Sequence, residues 1–393
     1  MHKLNFHLDL LEKDNISTYY TELFNVETNK LVHTSSLTGS SVLKNNLVYI
    51  DDVPNYLNAK INTQSETIKL KKINTYQGSL INLGKYNNFS DYLLSEISTK
   101  ERSEIRRRQK RLDHCIKPTY KMFYGAISEA DYNMVFNDYK QMLVRRLEQK
   151  QSYWEELDYW EARHKSTFQL IHQKKACVFV IYHNKKPIAI YINSIFGTAM
   201  FNEVVAYDID FSRFNIGILI FLKTIEWAIN NKFELIDMSK GDFSYKERFR
   251  NGTYTFQNHI IYNNKKLLMW VKANLLILKI SLIYKLLPWL KKMKINTLYT
   301  NYKRIKKRHI FKAYVLEPNR DFHIEKIAKM DPLDDLKLIN IENPAYGFLK
   351  KPSIDFAFLN VEHFDDIVVY NKESNENTYF FKGKNAIQKI VFK

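Results

Sequence analysis

Cysteines are scarce in this sequence, and none stands in a metal-binding pattern. Only two, Cys115 and Cys177, occur in 393 residues. A disulfide framework needs more, so both are expected to be ordinary packing thiols. The eleven histidines include no His-Glu-x-x-His motif and no Cys/His cluster. The sequence therefore predicts neither a structural disulfide nor a bound metal.

Secretory signals and long apolar runs are also lacking. The N-terminal stretch has no basic start followed by an apolar run and a small-residue cleavage site. In the most apolar region, the longest uninterrupted apolar run is the five residues 267–271. A helix that crosses a bilayer needs about twenty apolar residues. These absences predict a cytoplasmic protein without a membrane-spanning helix.

Hydrophobic residues and positive charge are plentiful. Hydrophobic residues make up 45% of the chain, which is enough for a core, and the length suggests two or more domains. The formal net charge is +18, yet residues 265–312 alone hold fourteen Lys or Arg and no acidic residue. The excess charge is therefore local. No nucleic-acid-binding motif accompanies it, so a nucleic-acid partner is not expected.

Residues 265–312 have the pattern of a basic amphipathic helix. Lys265, Lys272 and Lys279 follow each other at intervals of seven within apolar sequence, and Trp270 and Trp289 are interfacial residue types. Such a helix can lie on an anionic membrane, which would place the protein at the inner face of the membrane. Alternatively, its apolar face packs on the rest of the protein and the lysines are simply solvated.

The central stretch 199–249 switches from strand to helix periodicity. Residues 199–207 alternate apolar and polar side chains, and apolar residues then recur at helical spacing from Ile218 to Ile229. Gly217 lies between them, where a tight turn would leave the first helical NH groups facing outward as an anion site. A buried strand, 233–238, follows, and then a short basic helix from Tyr245 to Arg250.

This stretch resembles the GNAT acyltransferases, most closely the CelD-like branch of bacterial polysaccharide and envelope loci. The resemblance rests on Tyr207-Asp208, on Gly217, and on the Gly-Asp-x-x-Tyr-Lys segment at 241–246. This chain has Ile216-Gly217 where the family has Pro-Gly, and Arg213 with Gly217 matches the general phosphate signature only loosely. The resemblance covers roughly residues 90–262.

The resemblance implies an α+β GNAT fold, a mixed and mostly antiparallel sheet flanked by helices, with a degenerate first half in a tandem arrangement. We expect a GNAT-like half at 1–112, a catalytic domain at 113–264, the basic helical segment at 265–312 and a small β-rich module at 313–393. In that module, residues 337–341, 354–359, 366–370, 378–381 and 389–392 have strand-like patterns. In the catalytic domain, residues 90–112 and 128–163 are expected to be helical. Strands are expected at 167–172 and in a meander over 176–207, with a final hairpin around Asn251-Gly252.

The resemblance also assigns roles to individual residues. Glu203 or Asp208 would act as base, Tyr245 would protonate the departing thiolate, and Lys246 would pair with negative charge. Alternatively, Glu203 is a solvent-facing strand residue, Asp208 caps or anchors its loop, and Tyr245 and Lys246 merely pack. Binding of acyl-CoA or acetyl-CoA, or of an acyl carrier protein, is expected from Arg213, Asn215, Ile216, Gly217, Ile218, Gly241 and Arg248.

Three functions remain open on this reading. The first is acyl transfer to an amine or hydroxyl of an amino sugar, amino acid, or lipid or sugar precursor of the envelope. The second is a FemX-like transferase that takes an aminoacyl group from tRNA. In that case the basic cluster at 100–111 would be a binding surface rather than a solvated helix face. The third is a catalytically silent scaffold that recruits partners through the C-terminal module.

Overall fold

The structure is a computed structural model that describes residues 1–36, 39–154, 156–241, 243–292, 295–307, 322–327 and 335–392. It confirms the expected fold class, a mixed α+β protein in which helices flank a large mixed sheet, with a second, smaller sheet near the C-terminus. Parts of the predicted segments 265–312 and 313–393 lie outside the described residues.

Twelve described strands precede residue 264: β1 His2–Asn5, β2 Tyr20–Asn25, β3 Lys30–Thr34, β4 Val48–Pro54, β5 Leu57–Ile61, β6 Ile68–Asn82, β7 Thr119–Phe123, β8 Ala176–His183, β9 Lys186–Phe196, β10 Ala199–Tyr207, β11 Leu235–Lys240 and β12 Gly252–Asn263. Nine of them form one sheet in the order β1-β4-β12-β6-β11-β10-β9-β8-β7, and β3-β2-β5 form a small sheet. The C-terminal sheet contains β13 Phe322–Lys326, β14 Leu336–Ile339, β15 Val368–Lys372, β16 Asn375–Lys382 and β17 Ile387–Phe392.

Ten α-helices lie in the described part of the chain: α1 Ser41–Asn45, α2 Phe89–Glu96, α3 Thr99–Ile116, α4 Glu129–Gln149, α5 Glu156–His172, α6 Ile216–Asn230, α7 Ser244–Phe249, α8 Leu267–Lys292, α9 Ile295–Lys306 and α10 Lys350–Asn360. The region 90–112 is therefore divided between two helices. The break falls at Ser98, whose side chain accepts a hydrogen bond from the NH of Glu101 and so caps α3.

Two segments predicted as strands are helical. Residues 167–172 complete α5, where Thr167, Leu170 and Ile171 are buried at helical spacing. Residues 354–359 belong to α10, in which the Ser353 hydroxyl donates to the Leu349 carbonyl one turn earlier. Both are short apolar runs, whose periodicity alone does not distinguish a strand from a buried helix.

Residues 1–112 and residues 113–264, expected to be separate domains, share the large sheet. Strand β6 pairs antiparallel with both β11 and β12, so strands from either side of the expected boundary at residue 112 are hydrogen-bonded neighbours. The predicted final hairpin around Asn251-Gly252 is wrong, because β12 pairs with β6 and β4 rather than with the preceding strand β11. The side chain of Asn251 instead accepts a hydrogen bond, 2.8 Å long, from the NH of Asn82 at the end of β6.

Helix α6 packs on one face of the sheet, and α4 and α5 pack on the other. The core on the α6 side continues without interruption into the C-terminal module. Both cysteines lie in this core as free thiols, and burial raises the pKa of Cys115 to about 11 and that of Cys177 to about 12. They are packing residues, as the sequence predicts.

The expectation that the apolar region is too short to cross a membrane is wrong. In α8, residues Leu267–Leu287 are long enough and, with a mean hydropathy of 1.7, apolar enough for a membrane span by length and composition. Counting uninterrupted runs misses this, because Lys272, Lys279 and Lys285 break the runs while the average stays high. Only 11% of the apolar window is buried in the protein.

Candidate active site

The site begins where two parallel strands separate. Strands β10 and β11 pair only from Ala199 opposite Leu235 to Phe201 opposite Asp237. Beyond these pairs β10 continues to Tyr207 and β11 to Lys240, so the sheet opens at the carboxyl ends of both strands. The register of β10 against β9 also shifts between Asn202 and Val204, which leaves Glu203 as an extra residue. Such a bulge redirects a side chain, and here it places Glu203 in the opening.

A cleft of about 240 Å³ occupies this opening on the face that carries α5. Strands β10 and β11, the start of α5 and the N-terminal turn Phe6–Leu11 line it. The lining residues include His7, Asp52, Trp154, Tyr159, Arg163, Glu203, Asp237 and Lys240.

Glu203 is the centre of a polar network in this cleft. Its carboxylate lies 2.5 Å from Nε2 of His7 and 3.1 Å from Nη2 of Arg163, and it accepts a hydrogen bond, 2.9 Å long, from Oγ of Ser194. His7 is held in place by Asn5, whose side chain accepts from the NH groups of His7 and Leu8. Three separate segments of the chain, besides β10 itself, therefore fix one carboxylate.

Charge pairing sets the protonation of this network. Burial alone would raise the pKa of Glu203, but His7 and Arg163 outweigh it and hold that pKa far below its usual value. Burial alone would lower the pKa of His7, yet the Glu203 carboxylate outweighs it and raises the pKa. Glu203 is thus an anion at neutral pH, and the neutral form of His7 is a stronger base than an ordinary histidine.

Among the described residues, this network also contains a group of side chains that could hold a metal ion. Donor atoms of His7, Glu12 and Glu203 lie within 4.8 Å of one another. The guanidinium of Arg163, 3.1 Å from Glu203, already supplies the positive charge that a cation would bring. The donor set therefore suits a charge-paired proton site better than a cation site.

Asp208 turns away from the cleft and anchors the loop after β10. Its carboxylate lies 2.7 Å from Arg145 and 2.7 Å from Lys350 of α10. Arg145 also contacts Asp210 at 3.1 Å. Burial would raise the pKa of Asp208, but Lys350 and Arg145 outweigh it and lower that pKa to about 2. Of the two roles expected for Asp208, this geometry matches the loop anchor.

The start of α6 differs in detail from the expected glycine turn. Asn215, with φ 57°, adopts the left-handed conformation that reverses the chain, and Ile216 is fully buried. At Gly217 an added Cβ would lie 2.8 Å from the ring of Tyr207. Close packing of this ring, rather than a tight turn, is therefore the reason for a glycine here. Ile218 is half-buried at the same helix start.

Most charged residues expected at the acyl donor are engaged within the protein. Arg213 forms an ion pair with Asp355 of α10 at 2.9 Å, and Arg248 pairs with Glu101 at 2.7 Å. Lys246 donates to the carbonyl of Lys240 at 2.7 Å, and burial lowers its pKa to about 8. Asp242 lies outside the described residues.

Helices α6 and α7 do lie on the same face of the sheet, as their expected roles require. The ring of Phe221 in α6 lies 5.9 Å from the ring of Tyr245 and 5.6 Å from that of Phe249 in α7. Burial raises the pKa of Tyr245 to about 12, so its hydroxyl keeps its proton at neutral pH. Gly241, with φ +116°, is exposed at the turn before α7.

Two residues of the site, His7 and Arg163, were not predicted from the sequence. His7 and Arg163 are 196 and 40 positions from Glu203 in the sequence, and no local spacing links them to it. Arg146 places its guanidinium 4.4 Å from the ring centre of Tyr207, beside the start of α6. The sequence does indicate Arg146, since it is one of two adjacent arginines on a helix with an apolar face.

Comparisons with known proteins give one family match and several similar solved structures. Residues 99–247 match the family model described as Acetyltransferase (GNAT) domain. No curated protein matches the sequence. Similar solved structures include FemX, with a TM-score of 0.40 and 12% identity over 56% of this chain and 73% of that one. L-PGS from Bacillus licheniformis has a TM-score of 0.33 and 14% identity over 60% and 74%, respectively.

A third similar structure is the PaiA N-acetyltransferase of Thermoplasma acidophilum in complex with coenzyme A. It has a TM-score of 0.27 and 11% identity, and the match covers 36% of this chain and 98% of that one. The family match spans the meander β8 to β10, the cleft residue Glu203 and helices α3 to α6. Residues 99–247 of this chain are therefore similar to an acetyltransferase domain of the GNAT superfamily.

Proposed function

We propose that the protein transfers an acyl group from acyl-CoA, or from an acyl carrier protein, to an amine or hydroxyl. The acceptor would be an amino sugar, an amino acid or an envelope precursor, in keeping with the resemblance to the CelD-like branch. The observation that carries the proposal is the opening between β10 and β11, with Glu203 displaced into it by the bulge.

The proposed division of labour follows from the two faces of the sheet. The acceptor binds in the cleft beside Glu203, and the thioester lies on the opposite side, where the start of α6 and Tyr245 meet. The opening between the strands joins the two sides. Holding both reactants there supplies much of the rate enhancement, because positioning makes the attack effectively intramolecular.

His7 and Glu203 would together take the acceptor's proton. The acceptor nitrogen or oxygen forms a bond to the thioester carbonyl carbon, and its proton passes to Nδ1 of neutral His7, whose Nε2–H stays bonded to Glu203. Glu203 holds the ring and stabilises the resulting imidazolium. When the carbon–sulfur bond breaks, the thiolate takes a proton from Tyr245, and solvent carries the proton of His7 back to Tyr245. Glu203 therefore acts through His7 in this scheme and not as a lone base.

The test compares Glu203→Gln with Glu27→Gln, which alters an exposed glutamate outside the cleft. Acetyl-CoA and longer acyl-CoA thioesters are incubated with glucosamine, with lysine and with envelope extract, and products are followed by mass spectrometry. We expect Glu203→Gln to lower kcat/KM by about 100-fold or more. The rise in melting temperature on addition of acetyl-CoA should be unchanged. Glu27→Gln should match the wild type.

Two outcomes would contradict the proposal. Equal rates in both variants would remove the His7–Glu203 pair from the chemistry. No transfer from any thioester, together with salt-dependent binding of aminoacyl-tRNA and transfer from it, would instead support the FemX-like alternative.

A further inference from the structure

Helix α8 has two different apolar faces. Its inner face packs on the large sheet, where Ala273 and Ile280 are buried against Leu47, Ile73 and Ile260. Its outer face carries a second set of large apolar side chains, and these are exposed to solvent. We call this set the outer stripe; it consists of Leu268, Val271, Leu275, Leu278, Leu282, Leu286 and Trp289.

The outer stripe is continuous along the helix. Its members are spaced three or four residues apart, so they follow one side of the helix over 22 residues, about 33 Å. Leu275 is 62% exposed and Leu278 is 56% exposed. An exposed apolar surface of this extent on a folded protein marks an interaction site.

Charge identifies the kind of partner. The exposed lysines Lys265, Lys272, Lys279, Lys285 and Lys292 accompany the stripe along its whole length. No acidic residue occurs anywhere in residues 265–312. A second copy placed symmetrically on this face would oppose lysines with lysines. An anionic lipid surface, by contrast, satisfies the apolar stripe and the lysines together.

The buried inner face determines whether the helix can cross a membrane or lie on its surface. Ala273 and Ile280 are 0% and 6% exposed, so crossing a bilayer would require α8 to leave the sheet and uncover them. Lying in the plane of the interface requires no such change. The geometry points to α8 docking on an anionic membrane, with the outer stripe inserted among the acyl chains and its lysines at the headgroups.

Helix α8 also connects to the rim of the cleft. The ring of Tyr284 of α8 packs 5.0 Å from the ring of Tyr76, which lies under the ammonium of Lys240. Lys240 in turn pairs with Asp52 at 2.7 Å, and both of these residues line the cleft.

Vesicle binding of the full chain tests the docking independently of catalysis. Vesicles of phosphatidylcholine with phosphatidylglycerol, and of phosphatidylcholine alone, are sedimented with wild type, with Leu275→Ser/Leu278→Ser, and with Leu94→Ser. Leu94 is a matched control, since it is 64% exposed on α2. We expect binding only to the anionic vesicles and at least about a tenfold loss in the double variant, because two leucines leave the lipid. Leu94→Ser should bind like the wild type.

Charge reversal and extraction complete the test. Lys272→Glu/Lys279→Glu should abolish binding, and alkaline carbonate should release bound wild type from the vesicles. Retention after carbonate would mean that α8 spans the bilayer and would overturn the inference. Absence of vesicle binding would overturn it too. If light scattering then shows a dimer that Leu275→Ser/Leu278→Ser dissociates, the stripe's partner is a second copy. Either failure leaves the acyl transfer assay unaffected.

Discussion

Two carboxylates of the acetyltransferase domain have opposite surroundings although both are predicted as candidate bases. Glu203 faces a cleft and contacts a titratable group, His7, at 2.5 Å. Asp208 is 6% exposed at its side chain and is held by two permanent cations, Arg145 and Lys350. Proton transfer suits the first setting and loop anchoring suits the second, because a base must reach its substrate.

Replacing Asp208 by asparagine should destabilise the fold. The change leaves Arg145 and Lys350 without their carboxylate, and breaking such a buried pair from one side is costly. Both cations are partly exposed, so we expect a loss of about 2 kcal/mol in the free energy of unfolding, measured by urea titration. Asp113→Asn, at an exposed position, should change it by less than about 0.5 kcal/mol. Equal effects would refute the anchoring role.

The stabilising contribution of His7 should depend on pH. Its pKa is raised in the folded protein, so the folded state binds the proton more tightly than the unfolded chain does. This contribution is complete below the unfolded pKa of about 6.5 and is lost as the pH rises through the folded pKa. The stability difference between wild type and His7→Gln should therefore shrink from about pH 6 to about pH 9 in urea titrations. A difference that widened over this interval would show that the ion pair with Glu203 is not formed.

At the scale of elements, one strand end and one helix start fit together through a glycine. The ring of Tyr207, the last residue of β10, lies against Gly217 in the first turn of α6. The guanidinium of Arg146 of α4 lies 4.4 Å from the centre of the same ring. The relative position of β10, α4 and α6 thus depends on the absence of a side chain at one position.

Gly217→Ala should displace this ring. The new methyl group would lie 2.8 Å from Tyr207, and overpacking of this kind costs about 1–3 kcal/mol. Gly84→Ala is the matched control, because its added Cβ would make only an ordinary contact, 3.5 Å from Asn82. We expect a lower melting temperature for the first variant and little change for the second. If the two variants melt alike, the ring does not pack as described.

At the scale of the whole molecule, the C-terminal module packs closely against residues 99–247, which match the acetyltransferase family. Phe214, in the loop before α6, packs edge-to-face on Phe358 of α10 at 5.0 Å, and Arg111 of α3 lies 4.7 Å from the centre of the Phe358 ring. Arg213 and Asp208 are bound by residues of α10 as well. The module therefore supports the loop on which the start of α6 depends.

The described parts of the molecule should accordingly unfold together. A core that is continuous between the module and the sheet predicts one cooperative transition in calorimetry, with equal calorimetric and van't Hoff enthalpies. A chain that ends at residue 307 should lose this transition or aggregate, because it exposes apolar partners of α10 such as Phe214. Two well-separated transitions in the full chain would show that the module folds on its own.

The sequence alone determined the elements whose pattern is long and regular. The meander β8 to β10, helix α6 and the basic apolar helix α8 follow from alternation or helical spacing over many residues, and the family resemblance implied the α+β class. The packing role of both cysteines and the place of Glu203 on a strand beside a cleft were also within reach of the sequence. The structure of short apolar runs was not within reach, as residues 354–359 show, which were predicted as a strand and lie in α10.

Only the tertiary structure decided which charged groups meet. His7 and Arg163 contact Glu203, and Lys350 contacts Asp208, although the partners are far apart in the sequence. No periodicity encodes such contacts. The outer stripe of α8 likewise could be recognised only from the tertiary structure, in which the sheet covers the opposite face of the helix. Periodicity shows which residues share one face of a helix or strand. Which part of the protein covers that face depends on the packing of the whole chain.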